Sequence, residues 1–447
     1  MNEFLSTAKP LYYVSRLVGL FPFQYKKLGK SKDRLMNTLQ ISLFQVLYSV
    51  FLIITIICCF VLMIRNRMST LYVNFSFSFT VFDFLTSLLK FAGCVVSLIQ
   101  LSVILPEKLG DAILTISDID KLLSKYISIN ITKKALRIIM TEILITVTYL
   151  FVLCTYDFLS LNNNIGRLDC ILRYVMSSII FVTCLQFINF SLLVANRCKI
   201  LNNEIEKLCN KINLQNTYVN IHIAKINENS HILNISGTNK IYILDTEERI
   251  EKLDNLVQDW RKKISSDEFI ERLRNFRKIH ILLNDLVLII NRCYGMQILF
   301  IILGSATKIT LNIHIALLLL EEDDFSALMH ESAKTMLIVS LAWTFPALVK
   351  IFGITGSCEA YKRETARTAL LIQKLWITPN MDIEISVELQ LFSQQILHTD
   401  FKFSASGFFI LDFSFLCSTF GSIASFLVVL TQFWETYEQE HFLKSLV

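Results

Sequence analysis

Long apolar runs alternate with charged segments along the whole chain. A helix rises about 1.5 Å per residue, so roughly 20 apolar residues cross the hydrocarbon core of a bilayer. Seven runs are long enough to cross it, at residues 41–64, 77–106, 138–160, 170–194, 294–320, 335–355 and 413–433. This pattern predicts an all-α integral membrane protein with seven transmembrane helices.

The segments between the runs predict which parts of the chain lie in water. Residues 199–278 are charged and Asn-rich; their ends have helical spacing, and their middle, 215–240, is predicted to be disordered. Residues 358–402 contain two amphipathic stretches, ETARTALLIQKLW and ISVELQLFSQQIL, whose apolar faces need a partner surface. The predicted division is an N-terminal segment 1–40, helices 1–4 in 41–198, a hydrophilic loop 199–278, helices 5–6 in 279–357, amphipathic helices in 358–402, helix 7 in 403–434 and a tail 435–447.

Basic residues concentrate in alternate loops and so predict an orientation. Lys and Arg are frequent before the first run and in residues 107–137 and 199–278, whereas the loop between the fifth and sixth runs is mainly acidic. By the positive-inside rule the N-terminus and the segment 358–402 are cytoplasmic, and the C-terminal tail is extracellular. This orientation is inverted relative to G-protein-coupled receptors. Asn74, in Asn-Phe-Ser, lies in a loop predicted to be outside and is a candidate glycosylation site.

Composition argues against several classes of function. The net charge of +5 is small for 447 residues, and no basic groove with stacking aromatics is apparent, so nucleic acid binding has no support. The 11 Cys are scattered without a CxxC pair or a spaced ligand set. No HExxH, P-loop or nucleophile-elbow pattern occurs. We therefore expect no enzyme activity, no metal and no cofactor.

The last apolar run differs from an ordinary lipid-facing helix. Small hydroxyl residues recur along it at Ser414, Ser418, Ser422 and Ser425, and Gln432 lies near its end. A buried amide without a partner is costly, so Gln432 is expected to face another helix or water. The stripe Ser422, Phe426, Val429 and Phe433 has helical spacing. Two interpretations stay open: helix packing through small residues, or a narrow pore formed by several copies of this helix.

Three stretches of the chain resemble the insect gustatory receptors. The signature of that family in the last transmembrane helix is Thr-Tyr, five mostly hydrophobic residues, and Gln-Phe. Here Ser425 and Phe426 replace Thr-Tyr, and Gln432 and Phe433 match with the right spacing. Residues 403–411 resemble the lead-in to that helix, and residues 9–23, KPLYYVSRLVGLFPF, resemble the N-terminal segment of the family.

The resemblance implies a function. Members of the family are ligand-gated nonselective cation channels of the plasma membrane, opened by small-molecule tastants, in which four subunits share one pore. A homotetramer or a heterotetramer with other gustatory receptors is then expected, with cytoplasmic helices as the anchor between subunits; the alternative for those helices is contact with membrane lipid. The expected pore residues are Gln432, Phe433 and Val429, with Phe426 and Ser425 behind them. A metabotropic receptor and a transporter remain the alternative functions.

The resemblance also places the ligand pocket among the second to sixth helices. In the sixth run Ser340, Trp343 and Thr344 lie near the middle of the membrane, and an indole offers an apolar face with one donor; the alternative is a core Trp. The other polar candidates in these helices are Asp83, Thr155, Tyr156, Asp157, Arg173, Gln186, Thr307 and His314. Asp83 and Lys90 are seven residues apart and nearly on one helix face, so they either form an intramembrane pair or point at a water-filled cavity. For Asp157 and Arg173 the alternative is a salt bridge at the mouth of the pocket.

Overall fold

The computed structural model describes residues 2–25, 39–70, 77–126, 132–160, 164–233, 266–321, 327–377, 383–399 and 402–445. Within these ranges the chain is almost entirely helical, with one short antiparallel pair, β1 (Phe23–Tyr25) and β2 (Leu39–Ile41). The helices are α1 (Asn2–Leu17), α2 (Leu43–Thr70), α3 (Phe77–Ile99), α4 (Pro106–Leu123), α5 (Thr132–Ser160), α6 (Asn164–Leu233), α7 (Ser266–Glu321), α8 (Ala327–Trp376), α9 (Ile383–His398) and α10 (Phe413–Ser445). A π-helical turn, Gln100–Ile104, separates α3 from α4.

Seven of the described helices are long and apolar enough to cross a membrane. They are α2, α3, α5, α6, α7, α8 and α10, in the order of the seven apolar runs. Many of their large apolar side chains point outward, as Leu144 and Ile145 of α5 do, each 62% exposed. The predicted all-α class with seven membrane helices is confirmed.

Three of these helices extend far beyond a bilayer. α6, α7 and α8 contain 70, 56 and 50 residues, which correspond to about 105, 84 and 75 Å against a hydrocarbon core of roughly 30 Å. The divisions expected after residues 198, 278 and 357 therefore fall inside continuous helices. α6 stays helical to Leu233, so the disorder expected from residue 215 is wrong up to that point; residues 234–265 lie outside the described ranges. Adding residues to an existing helix needs no new nucleation.

The extensions pack with α4 and α9 into a second bundle. α4 and α9 lie against α7, and α6 lies against α8. The apolar face of α9 is covered within the chain, because Leu389 and Phe392 are fully buried. Glu388 of the same helix is also buried, and its carboxylate pairs with Arg277 of α7 at 3.2 Å. The amphipathic pattern of α9 is thus explained by packing on the long helices.

The N-terminal segment turns sharply before α2 and packs on the membrane helices. Gly19 has φ +81°, a conformation that glycine adopts without steric cost. Its carbonyl accepts hydrogen bonds from Ser49 of α2 and Ser102 of the π-helical turn. A Cβ at residue 19 would lie 3.0 Å from Leu52 Cδ1. This turn joins α1 to α2 and to the end of α3.

Candidate functional site

Four helices line a cavity within the membrane-spanning part of the bundle. Its volume is about 50 Å³, and its walls come from α3, α6, α7 and α8. Phe181, Phe300 and Trp343 form aromatic walls, and Thr86 and Ser177 contribute hydroxyl groups. A volume of this size exceeds the space that one water molecule needs, which is roughly 10–15 Å³. The cavity is the candidate binding site.

Three lysines from three different helices line this cavity, and we call it the lysine cavity. Lys90 of α3 has its Nζ 5.5 Å from the ring centre of Trp343, and Lys350 of α8 has its Nζ 5.2 Å from that of Phe181. Lys308 of α7 completes the set. All three are half-buried. Among the described residues, no acidic side chain brings an oxygen within 4.0 Å of any of these ammonium groups.

A buried ion-pair network adjoins the lysine cavity. Arg67 of α2 has one guanidinium nitrogen 2.6 Å from Asp83 Oδ2 and another 3.1 Å from Asp169 Oδ2. Arg173 Nε lies 3.6 Å from the same Asp169 oxygen. Because a buried charge needs a partner of opposite sign, these contacts hold α2, α3 and α6 together. Asp83 therefore pairs with Arg67 and not with Lys90, and Lys90 follows the other expected alternative, because it faces the cavity and contacts Trp343.

Pro346 of α8 also lines the lysine cavity. Proline has no N–H, so the carbonyl four residues earlier, that of Ala342, loses its usual helical donor. The hydroxyl of Tyr149 on α5 donates a hydrogen bond to that carbonyl. In a membrane helix the freed carbonyl has no water to bond, so a side chain from a neighbouring helix is the expected replacement.

The last membrane helix, α10, has one packed face and one exposed face. The packed face contacts α7 and α8 through Leu416 and Ile423, which share a buried cluster with Ile309, Ala347 and Ile351. The exposed face consists of small, hydroxyl, apolar and amide side chains: Ser414, Ser418, Ser422, Ser425, Phe426, Val429 and Gln432. Such a face meets either lipid or a neighbouring subunit.

Residues 402–412, which we call the α9–α10 connector, join the second bundle to α10. The connector folds back on itself through a bridge between Ser404 and Ile410 and two residues with positive φ, Ser406 and Gly407. It lies directly on α7, because a Cβ at Gly295 would be 2.8 Å from the backbone nitrogen of Ser406. The absence of a side chain at residue 295 permits this close approach.

Asp412 ends the connector and caps α10. Its Oδ1 accepts a 3.0 Å hydrogen bond from the backbone N–H of Phe415, and its Oδ2 lies 2.9 Å from Lys362 Nζ of α8. The amide of Phe415 and then the Lys362 ammonium hold the pKa of the Asp412 carboxyl below its ordinary value of 3.8. Asp412 is therefore ionised at neutral pH and ties the start of α10 to the long helix α8.

A family comparison matches this architecture over nearly the whole chain. The model of the 7tm chemosensory receptor family matches residues 8–436. The chain belongs to the 7tm chemosensory receptor family. That family is one of receptors and not of enzymes, and the chain is a multi-pass membrane protein.

Two further comparisons found proteins to which parts of the chain or its fold are similar. A Drosophila melanogaster protein named "Putative gustatory receptor 2a" is 24% identical over 181 residues, which are 37% of this chain and 41% of that protein. Structures of the olfactory receptor OR5 from Machilis hrabei, alone and in complex with eugenol, share the fold with TM-scores of 0.54 and 0.56. Both cover 95% of this chain and 97% of theirs at 12% identity.

The expected ligand residues fall into two groups: those in or beside the lysine cavity, and those away from its walls. Trp343 lines the lysine cavity. Ser340 and Thr344 are buried on the same helix, where the Ser340 carbonyl and the Thr344 hydroxyl each accept a 3.0 Å hydrogen bond from Asn312 Nδ2 of α7. Asp83 belongs to the adjoining ion-pair network. These four residues thus lie in or beside one region of the receptor.

The remaining expected ligand residues lie away from the lysine cavity walls. The carboxylate of Asp157 accepts a 2.9 Å hydrogen bond from a tyrosine hydroxyl of α6. Gln186 is buried and accepts a 3.3 Å hydrogen bond from Tyr294. The Thr307 hydroxyl bonds to carbonyls of its own helix, and Tyr156 is 43% exposed. None of these four side chains lines the lysine cavity, and their part in ligand binding stays a prediction.

Two expected positions fall outside the described part of the receptor. Asn74, the candidate glycosylation site, lies in residues 71–76, which are not described, and the side chain of Phe433 is not described either. The sequence interpretation missed Lys308 and Lys350 as cavity residues. Their position inside apolar runs could have indicated this role, because an ionisable residue within a membrane span is by default a candidate functional residue.

Proposed function

We propose that this receptor is a subunit of a ligand-gated nonselective cation channel, a gustatory receptor that small-molecule tastants open at the plasma membrane. The observation that carries the proposal is the exposed face of α10. Phe426 and Val429 are 58% and 45% exposed in the single chain, while the opposite face packs on α7 and α8. An exposed face that combines serines, apolar residues and an amide suits a pore better than a lipid contact.

The proposed assembly is a tetramer of this chain, alone or with other gustatory receptors. Four copies of α10 around one axis would place Gln432, Phe433 and Val429 at the narrowest part, with Phe426 and Ser425 behind them. The proposed orientation keeps the N-terminus and the second bundle in the cytoplasm and the C-terminal tail outside, as the loop charges favour.

The lysine cavity lies next to the cluster that holds the packed face of α10, which supports gating by a ligand in the cavity. Ala347 lines the cavity and also belongs to the cluster that holds the packed face of α10. Ile309 of that cluster directly follows the cavity residue Lys308. A ligand that fits one arrangement of α7 and α8 better than another would bias the packing of α10 by its difference in affinity.

The direct test is whole-cell current in cells that express only this chain, with G-protein signalling blocked. A fast current evoked by small molecules and persisting under the block is the expected result. Current that disappears under the block would instead indicate a metabotropic receptor, and saturable solute flux without channel current would indicate a transporter.

Two variants localise the parts of the proposed channel. Gln432→Ala is expected to change conductance or gating with normal surface expression; loss of expression would favour a packing role. Trp343→Ala is expected to shift ligand potency and leave single-channel conductance unchanged. Unchanged potency would remove Trp343 from the binding site.

A further inference from the structure

The lysine cavity concentrates positive charge in an unusual place. Lys90 lies 13 residues after Phe77, the first residue of α3, and Lys308 lies 13 residues before Glu321, the last of α7. Each lysine is thus about 20 Å along its helix from that end. This distance is too long for the side chain to extend its ammonium group to the membrane surface. An ammonium group at such depth is costly unless water or an anion accompanies it.

The chain supplies carboxylates to the nearby arginines but not to the lysines. Arg67 has Asp83 and Asp169 as partners, and Arg173 has Asp169. Glu142 of α5 accepts a hydrogen bond from Asn189 of α6 at 3.1 Å. Among the described residues, none of these acids reaches within 4.0 Å of a cavity lysine. Asp83 acts on Lys308 only at longer range.

The charges around the cavity do not balance. The cavity and the adjoining network hold five cationic side chains, Lys90, Lys308, Lys350, Arg67 and Arg173. Within the described ranges, the acids that pair with these cations or act electrostatically on Lys308 are Asp83, Asp169 and Asp157. The group therefore has a net charge of +2, and the excess sits on the lysines that line the cavity. An anion is the ligand charge that this arrangement favours.

The hydrogen-bond donors of the cavity walls also favour a ligand that is rich in acceptors. The Thr86 and Ser177 hydroxyls already donate to carbonyls of their own helices, at 2.7 Å each. The lysine ammonium groups are thus the principal donors of the cavity, and a carboxylate offers acceptors only. The aromatic walls, Phe181, Phe300 and Trp343, offer apolar contact to a short body beside the charged group.

We propose that the lysine cavity binds a small organic anion, a carboxylate on a short apolar or aromatic body, contacted by Lys90, Lys308 and Lys350. The binding site itself is argued from the geometry and charge of the cavity. Only the role of the anion, opening the channel, rests on the proposed function.

The test uses the purified full chain in nanodiscs of zwitterionic phosphatidylcholine, so that no anionic lipid competes. Binding is measured for three carboxylates and their near-isosteric neutral amides: acetate and acetamide, hexanoate and hexanamide, benzoate and benzamide. At least one carboxylate is expected to bind about 10-fold or more tightly than its amide, because a charge-assisted hydrogen bond is worth roughly that factor. If no carboxylate in the panel outbinds its amide, the inference is overturned.

Lysine variants test whether the preference arises in the cavity. Lys90→Gln, Lys308→Gln and Lys350→Gln are each expected to weaken carboxylate binding about 10- to 100-fold and to change amide binding less than about twofold. The matched control is Lys108→Gln on α4, because Lys108 is 48% exposed and pairs with Asp111. Equal loss in the control, or unchanged carboxylate binding in all three cavity variants, contradicts the proposal.

Thermal unfolding shows whether the lysine variants are folded. Removing one of three crowded positive charges is expected to keep or raise the unfolding temperature of the unliganded protein, and the preferred carboxylate should raise it for the wild type but not for the variants. The two proposals fail separately. Lysine-dependent carboxylate binding without any current would refute the channel function alone, whereas currents evoked equally by amides and insensitive to the lysine variants would refute the anion site alone.

Discussion

Replacing Asp412 by alanine removes the connection between α8 and the first turn of α10. The carboxylate accepts a 3.0 Å hydrogen bond from the N–H of Phe415 and pairs with Lys362 at 2.9 Å. The first contact is a helix cap, which satisfies one of the unpaired amides at a helix start. Asp412→Asn keeps an oxygen for the cap and loses the charge. Lys362→Gln keeps the cap and loses the ion pair with Asp412, together with the longer 3.9 Å contact to Glu359.

The three variants should lower the free energy of unfolding by different amounts, because each removes different contacts. Loss of an N-cap costs about 1 kcal/mol. The Lys362 side chain is 47% exposed, so the ion pair contributes only about 0.5 kcal/mol. We therefore expect a loss of about 1.5 kcal/mol for Asp412→Ala and about 0.5 kcal/mol for each of the other two. If the cap forms in one gating state only, the open-to-closed ratio changes about 10-fold in Asp412→Ala.

Thermal unfolding of the purified variants measures the order of these effects, and hydrogen exchange of the amides at 413–416 localises them. The difference between wild type and Asp412→Ala should be constant from pH 8 to pH 5. Because the pKa of Asp412 is lower in the folded protein, its stabilisation is present above the ordinary value of 3.8 and is lost as the pH falls through the lower folded value. Equal losses in Asp412→Ala and Lys362→Gln would refute the capping argument.

Three further substitutions test the packing around the site. Gly295→Ala should lower the unfolding temperature, since overpacking against the α9–α10 connector costs about 1–3 kcal/mol; Gly356→Ala, where a Cβ meets nothing within 4 Å, is the control and should not. Arg67→Met removes the cation paired with Asp83 and one of the two cations paired with Asp169, and it should cost about 3–5 kcal/mol, measured as lost surface expression; normal expression would contradict the buried network. Tyr149→Phe orphans the Ala342 carbonyl and should cost about 1 kcal/mol in thermal unfolding, and no change would mean that another donor replaces the hydroxyl.

The membrane plan of the fold was predictable because a bilayer demands long apolar runs. The lengths of α6, α7 and α8 were not, because a hydropathy pattern marks only the part of a helix that lies in lipid. Whether a polar extension continues as a helix depends on distant segments that pack on it, such as α4 and α9. Residues 215–233 were misjudged because their Asn-rich composition alone favours disorder, whereas they continue an existing helix.

The candidate site was predictable only in part. Trp343 was expected in a pocket from its depth in the sixth helix and the family resemblance, and the structure places it on the cavity wall. Asp83 and Lys90 were expected either to pair or to face a water-filled cavity; Arg67 of another helix takes the Asp83 carboxylate, and Lys90 lines the cavity. That Lys90, Lys308 and Lys350 meet in one cavity follows from the packing of three helices, which their positions along the chain do not reveal.

In the proposed channel the exposed face of α10 lines the ion path. The direct measurement is the unitary cation current of the purified chain in planar bilayers, with Ser425→Cys in a Cys58→Ser, Cys417→Ser background, because Cys58 and Cys417 are also exposed. A positively charged thiol reagent is expected to reduce the unitary current at Ser425→Cys and to leave it unchanged at Leu144→Cys, on the outer surface of α5. No unitary current, or equal sensitivity at both positions, would contradict the account.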